Sequence, residues 1–275
     1  MPLFPALNTA VSGLQQFQQD ISLIGNNIAN VNTTGFKTER MDFQDTLSQA
    51  LGTDPEIQIG SGVATAGTQS NFGTGTISST GVATDLAISG DGFFVVRNAS
   101  SNSQYLTRAG DFHRDGNGYL VTADGLRVQG FSDSGLSSMG DLKIDATGAP
   151  ASAAAGATLA SYNIDSSGRI NVTLSDGTSF ARGQVLLQNC NDPNALAKQG
   201  ANLYAQTAAA GLLSQPAAPQ SAGLGTIHSS ALEMSNVDLT TEMTNLITAQ
   251  RAFQANSKII TTSDEILQEL VNLKR

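Results

Sequence analysis

Apolar side chains in the first 31 residues recur at alternating intervals of three and four: Leu7, Ala10, Leu14, Phe17, Ile21, Ile24, Ile28 and Val31. In a chain that is 40% apolar, eight hits in one register arise by chance roughly once in a thousand trials, and this interval is that of a helix burying a seam against another helix. The last 40 residues repeat the pattern. Leu239, Leu246, Phe253, Ile260 and Leu267 fall seven apart, and Met243, Ala249, Leu270 and Leu273 widen the stripe. A chain with such a seam at each end must pair its ends, share them with other copies, or both. Pro5 suits a first helical turn and Asn32-Thr33-Thr34-Gly35 supplies a stop, while Ser235-Asn236-Val237-Asp238 predicts a capping box opening the second helix.

The polar face of the first helix lacks charge. Gln15, Gln16, Gln18, Gln19, Asn26, Asn27 and Asn30 dominate it, and Asp20 alone is ionised. Helices facing bulk water normally carry Lys and Glu there, so an amide-rich face points to several packed neighbours or a polar channel. Gly13 and Gly25 each cost up to ~1 kcal/mol relative to Ala inside a helix, a cost that close helix approach would offset.

The helical period is lost from about Thr38 to Ala231. Short apolar runs take its place: Leu86-Ala87-Ile88, Phe93-Phe94-Val95-Val96, Tyr119-Leu120-Val121, Ile170-Asn171-Val172-Thr173-Leu174 and Val185-Leu186-Leu187. Asp91-Gly92, Asp115-Gly116, Asp124-Gly125 and Asp176-Gly177 punctuate them as hairpin signals. The expected fold is α+β, with N- and C-terminal helices paired as a coiled coil and a central antiparallel β domain. Residues 1–35 and 236–275 are expected to form the helical domain, and 36–133 with 181–235 the β domain. Residues 134–180 read as an Ala/Ser/Gly spacer and a small hairpin insertion at about 162–180.

Charge and composition exclude several functions. Net charge is −9, and 14 Lys and Arg without a cluster face 23 Asp and Glu, which argues against nucleic acid and against an acidic membrane surface. Residues 1–30 carry no secretory leader pattern, and no run approaches the ~18 apolar residues of a membrane span. One cysteine, Cys190, and two histidines, His113 and His228, assemble no disulfide and no metal set, so neither metal nor cofactor is expected. Both histidines read as surface residues of a strand and a loop, and Cys190 as a small packed side chain. Gly73-Thr74-Gly75 lacks the Lys-Ser or Lys-Thr of a phosphate loop, and Asp111 to Tyr119 lacks the alternating ligands and closing Glu of a calcium loop, so both are read as turns. The remaining carboxylates sit mostly in turns, and no catalytic set is expected.

The sequence Leu23-Ile24-Gly25-Asn26-Asn27-Ile28-Ala29-Asn30-Val31-Asn32-Thr33-Thr34-Gly35-Phe36-Lys37 resembles the amino-terminal signature of bacterial flagellar rod and hook proteins. Leu232-Glu233-Met234-Ser235-Asn236-Val237-Asp238-Leu239 and Ala249-Gln250-Arg251-Ala252-Phe253-Gln254-Ala255-Asn256-Ser257-Lys258 are similar to its carboxy-terminal signature. The stretches from Asp85 to Val96 and Gly200 to Tyr204 also resemble the family. The resemblance implies an axial structural subunit, with terminal helices forming the inner tube of a helical filament and the β domain its outer wall. It also implies a place in the flagellar basal body or hook, outside the cytoplasm. Its implied partners are further copies, neighbouring rod, hook and junction proteins, and the flagellar type III export apparatus. Phe43-Gln44-Asp45-Thr46-Leu47 resembles the Phe-x-x-x-hydrophobic element that engages the export gate, with Phe43 and Leu47 as its anchors; a core anchor for the β domain is the competing reading. The termini look most like a hook protein and the chain length most like a distal rod subunit. The hook is the first expectation and the distal rod the second. A more remote alternative is a β-rich adhesion or binding module merely dimerised by its heptads, which would place charges along the helix flanks.

Overall fold

A computed structural model describes residues 3–46, 49–50, 58–154, 156–211 and 215–273. Among the described residues the α-helices are α1 (Leu3–Ala29) and α2 (Leu239–Leu273), and the regular structure between them is antiparallel strand with short 3-10 turns. This is the expected α+β architecture. The chain divides into two compact units, one of residues 1–31, 37–71 and 237–275, the other of residues 32–36 and 72–236.

In the first unit α1 and α2 run antiparallel. Asn27 lies beside Glu242 and Gly13 beside Asn256, so fourteen residues forward along α1 correspond to fourteen back along α2. Residues 37–71 differ from the expectation that the β domain begins at residue 36, because they group with the helices. The strand Glu39–Asp45 pairs with Val63–Ser70, with a bulge between Asp42 and Phe43, and this hairpin sits on the amide face of α1. The Thr65 hydroxyl meets the side-chain oxygens of Gln16 and Gln19, and Ser12 Oγ accepts the Val63 N–H at 3.3 Å. The uncharged face of α1 is thus in part a packing surface for polar strands, whose half-buried hydrogen-bonding groups find partners there.

The helix ends follow local chemistry. After α1 the chain turns through Gly35, whose φ of +67° is in the left-handed region. A Cβ there would lie 2.5 Å from the backbone nitrogen of Ala109, so both conformation and space demand glycine. At the start of α2 the cap is Asp238 rather than the predicted Ser235 box. Asp238 Oδ1 accepts the Thr240 N–H at 2.9 Å, and Oδ2 accepts the Thr241 hydroxyl at 2.9 Å. Asp at the cap satisfies an orphan donor of the first turn and adds favourable charge there. The Thr241 and Thr240 hydrogen bonds hold its carboxyl below the usual carboxylate range.

In the second unit a sheet runs through Leu159–Ile164, Arg169–Leu174, Ser179–Val185, Arg127–Phe131, Phe93–Arg97, Gln104–Thr107, Leu203–Ala205 and Ala197–Gly200, each hydrogen-bonded to the next. One apolar cluster gathers Leu86, Phe94, Leu120 and Val128, and a second gathers Phe93, Val95, Leu106 and Tyr204. Residues 134–180 differ from a spacer with an appended hairpin. Met139–Asp141 pairs with Arg127–Phe131, and Ile164, Ile170, Val172 and Leu174 lie in the same core as Phe94. The alternation of Ile170, Val172 and Leu174 buries one face of that strand, which joins it to the main sheet. Asp115-Gly116, Asp124-Gly125 and Asp176-Gly177 lie between antiparallel neighbours as expected. Asp91-Gly92 does not: Leu86–Ser89 before it pairs with Thr226–Ser229 instead of Phe93–Arg97.

Candidate assembly interface

The helix pair brings the two predicted seams together. In the antiparallel register Leu246 lies near the level of Ile24, Phe253 near that of Phe17 and Ile260 near that of Ala10. Ala10 and Ile24 are buried, whereas Leu7, Leu14, Phe17, Ile21, Ile28, Leu246, Phe253, Ile260 and Leu267 are each only half-buried within one chain. Among the described residues the most covered positions of α2 are Glu242, Ala249 and Ser263, which alternate with the large side chains at spacings of three and four. Glu242 and Ser263 escaped a reading based on apolar residues, although their register marks them. Gly13 admits close approach: a Cβ there would lie 2.8 Å from Asn256 Nδ2. Gly25 has open space beside it, so the offsetting contact expected for both glycines exists within this chain at only one.

A buried amide anchors the hairpin to this pair. Asn27, 1% exposed, accepts the Glu39 N–H at 3.1 Å and donates to the Glu39 carbonyl at 2.8 Å, with Glu242 Oε2 3.4 Å from its Nδ2. The side chain thus pairs with a strand residue as another strand would, and a buried amide so satisfied carries little desolvation penalty.

The other predicted residues scatter over both units. Asn30 donates to the Asn26 carbonyl at 2.9 Å and to its side-chain oxygen at 3.1 Å, closing the last turn of α1. Asn32 is exposed, Gly35 and Phe36 are buried, and Ser235 is half-buried. Asn236 donates to the Gly73 carbonyl at 3.1 Å. Gln250, Arg251 and Ser257 are exposed on α2. Leu239 and Met243, expected in the α2 stripe, are exposed. Ile247, Ile259, Ile266 and Val271 are also exposed, Ile247 by 59% and Val271 by 69%, so α2 presents apolar side chains on faces that α1 does not cover. Phe43 is 42% exposed, with its ring centroid 6.0 Å from that of Phe17. Leu47 lies outside the described residues.

In the second unit a buried ion pair, missed by sequence reading, holds the turn that follows α1. Arg108 Nη1 donates to the Gly90 carbonyl at 3.0 Å and lies 3.6 Å from Glu233 Oε2, its guanidinium 5.0 Å above the Phe93 ring. Glu233 Oε1 accepts the Gly75 N–H at 2.9 Å, and its backbone carbonyl accepts the Gly35 N–H at 2.8 Å. Burial lowers the Arg108 pKa, and the Glu233 charge opposes that shift. Gly73-Thr74-Gly75 is therefore part of a structural clasp. Asp115 Oδ1 caps its own turn by accepting from Asn117 and Tyr119 N–H, at 2.9 and 2.7 Å. His113 is exposed on a strand; His228 is exposed too, but on the strand Thr226–Ser229 rather than in a loop. Cys190 is buried beside Phe93 and Leu106. No group of His, Cys, Asp or Glu able to hold a metal exists among the described residues, and no helix among them is long and apolar enough to cross a membrane.

Comparison with known proteins finds relatives along nearly the full chain. Residues 7–37 match the family model described as flagella basal body rod protein, 87–172 the D1 domain of flagellar hook protein FlgE/F/G, and 228–273 the C-terminal region of flagellar basal body rod FlgEFG proteins. The flagellar basal-body rod protein FlgG of Bacillus subtilis is 41% identical over 98% of this chain and 99% of its own length. That of Caulobacter vibrioides is 36% identical over the same shares. The flagellar hook protein FlgE of Borreliella burgdorferi is 27% identical over an alignment of 442 residues, covering 98% of this chain and 99% of its own. With matched models at both ends and in the β region, and relatives above 30% identity over nearly their full length, the chain belongs to the bacterial flagellar rod and hook axial protein family.

Proposed function

We propose that this chain is the distal-rod subunit of the flagellar basal body, a building block of a stiff helical shaft, and not the hook subunit that its termini first suggest. The observation that carries this reading is the end-to-end match to rod proteins, which leaves no large unmatched segment in either chain. The hook relative aligns only across 442 positions, far more than the 275 residues here, so it contains a large region without a counterpart in this chain. The half-buried seams and exposed apolar side chains of α2 support polymerisation, since further copies would remove that surface from water. Self-assembly and contact with neighbouring rod, hook and junction proteins follow from this role, and it needs no catalysis.

The proposed route outward is the flagellar type III apparatus, with Phe43 as a docking side chain in the unfolded chain. Replacing Phe43 with Ala should leave cells with subunit trapped in the cytoplasm while the purified variant remains folded. Normal secretion would dispose of the export element alone. Polymerisation is tested separately by negative-stain microscopy of concentrated purified chain. Straight tubular polymers are expected; supercoiled, bending polymers would restore the hook reading, and discrete dimers would favour the adhesion module.

A further inference from the structure

The first unit carries unlike charges on different faces, Asp20 and Arg251, and neither has an ionic partner among the described residues. α1 has one charged residue, Asp20. It lines a groove of about 250 Å³ together with Phe17, Leu23, Phe43, Asn245 and Thr248. Among the described residues Asp20 makes no hydrogen bond or ion pair, and burial pushes its carboxyl above the usual carboxylate range. Among the described residues the one cation at this groove is Arg40, which lies 3.3 Å from Asp42 and donates to Gln69 at 2.8 Å. Glu39 and Glu242, also at its wall, add negative charge.

α2 supplies the complement. Between Glu242 and Asp264 its only charged residues are Arg251 and Lys258. Arg251 lies two residues from both Ala249 and Phe253, so on a helix it points about half a turn away from the seam. It is exposed, donates to Gln254 at 3.3 Å, and has no carboxylate partner among the described residues. Ile247, one turn earlier and 59% exposed, stands beside it on the outer surface. An apolar side chain and a cation one turn apart match a groove that offers aromatic rings and net negative charge.

We infer that the groove of one subunit receives the outer face of α2 from a second copy, with Asp20 pairing Arg251 of its neighbour and Ile247 packing against the Phe17 and Phe43 rings. This rests on the polymerising role proposed above. Groove and outer face are different surfaces, so the contact is heterologous, and repetition generates an open helical assembly instead of a closed pair. The ion pair sets the register between subunits, because a misplaced copy would strand a half-buried carboxylate.

The test is a charge exchange between subunits, read as the critical concentration for polymerisation by sedimentation. Asp20→Arg and Arg251→Asp should each raise it at least about tenfold, whereas an equimolar mixture should co-assemble near the wild-type value, since each copy supplies what the other lost. Far-UV circular dichroism checks that each variant folds, and Asp20→Asn with Arg251→Gln provides a milder pair that should weaken assembly without rescue on mixing. Wild-type assembly by either charge-reversed variant alone, or rescue of Asp20→Arg by Lys258→Asp instead, would overturn the assignment while leaving polymerisation intact. Failure of the wild-type chain to polymerise would remove the proposed role and this contact together.

Discussion

Single residues in the second unit carry costs that their chemistry makes calculable. At Gly35 any side chain must adopt a left-handed backbone, costing ~1–2 kcal/mol, and must also displace the Ala109 backbone. Gly35→Ala should therefore lower the urea midpoint of the full chain clearly, by more than that backbone term alone. Arg108→Met would leave Glu233 buried without its guanidinium neighbour, with a loss of ~3–5 kcal/mol, and adding Glu233→Gln should recover part of it. If the double variant is no more stable than the single, the pair is not the unit that matters. Cys190 tests the packing around it by its silence: burial pushes its thiol up to about 11, so alkylating reagents at pH 8 should modify it only on unfolding. None of these roles is legible from composition. Gly35 was marked by its place in a motif, but its clash partner lies 74 residues away, and Arg108 carries no local signal that it is buried.

At the scale of elements, the two helices were the most legible part of the chain, since a repeat of 3.5 residues sustained over three or more heptads arises where one helix packs along another. Their polar members were not legible. Glu242 and Ser263 occupy seam positions that a hydrophobic pattern passes over, and only the paired helices show that Glu242 meets the Asn27 amide. Two substitutions separate the contributions. Ile260→Asp places a charge in the half-buried seam and should abolish polymerisation while the near-ultraviolet spectrum of the β unit stays native. Asp238→Ala removes the cap of α2 and should cost ~1 kcal/mol of helix stability, seen as increased fraying at its first turn by hydrogen exchange. The strands were legible as runs and less so as partners. Asp91-Gly92 has the composition of a hairpin turn, yet Leu86–Ser89 finds its neighbour at Thr226–Ser229, because pairing is decided by which buried faces meet.

For the whole molecule, acid should act mainly through the second unit. Burial disfavours the charge of Asp145, but hydrogen bonds from Arg182, Lys143 and Thr147 outweigh it and hold the carboxyl well below the usual range. Asp141 is lowered likewise, its burial overcome by Arg97, Arg127 and Gln129. A carboxylate whose folded pKa is depressed contributes stability that is fully present above its unfolded value near ~4 and is lost as pH falls toward the folded one. Urea midpoints should therefore decline below pH ~4, with a flatter decline in Asp145→Asn; a decline that begins at pH 6 would point to another group. Protease offers the complementary view of assembly. In dilute solution α2 should be cut first, at its exposed apolar positions, and concentration into polymer should protect them.

By itself the sequence determined the element types, the pairing of the two ends and the family, because heptad spacing, turn dipeptides and terminal motifs are local signals that survive without a third dimension. It also marked Asp20 as the one charge on α1. Only the tertiary structure decided that residues 37–71 belong with the helices, that 134–180 completes the main sheet, and that Arg108 and Glu233 meet in the β unit. These depend on which surfaces exclude water together. Burial is a property of distant segments brought into contact, and the same polar or charged residue is ordinary in solvent and decisive when its neighbours leave it a single partner.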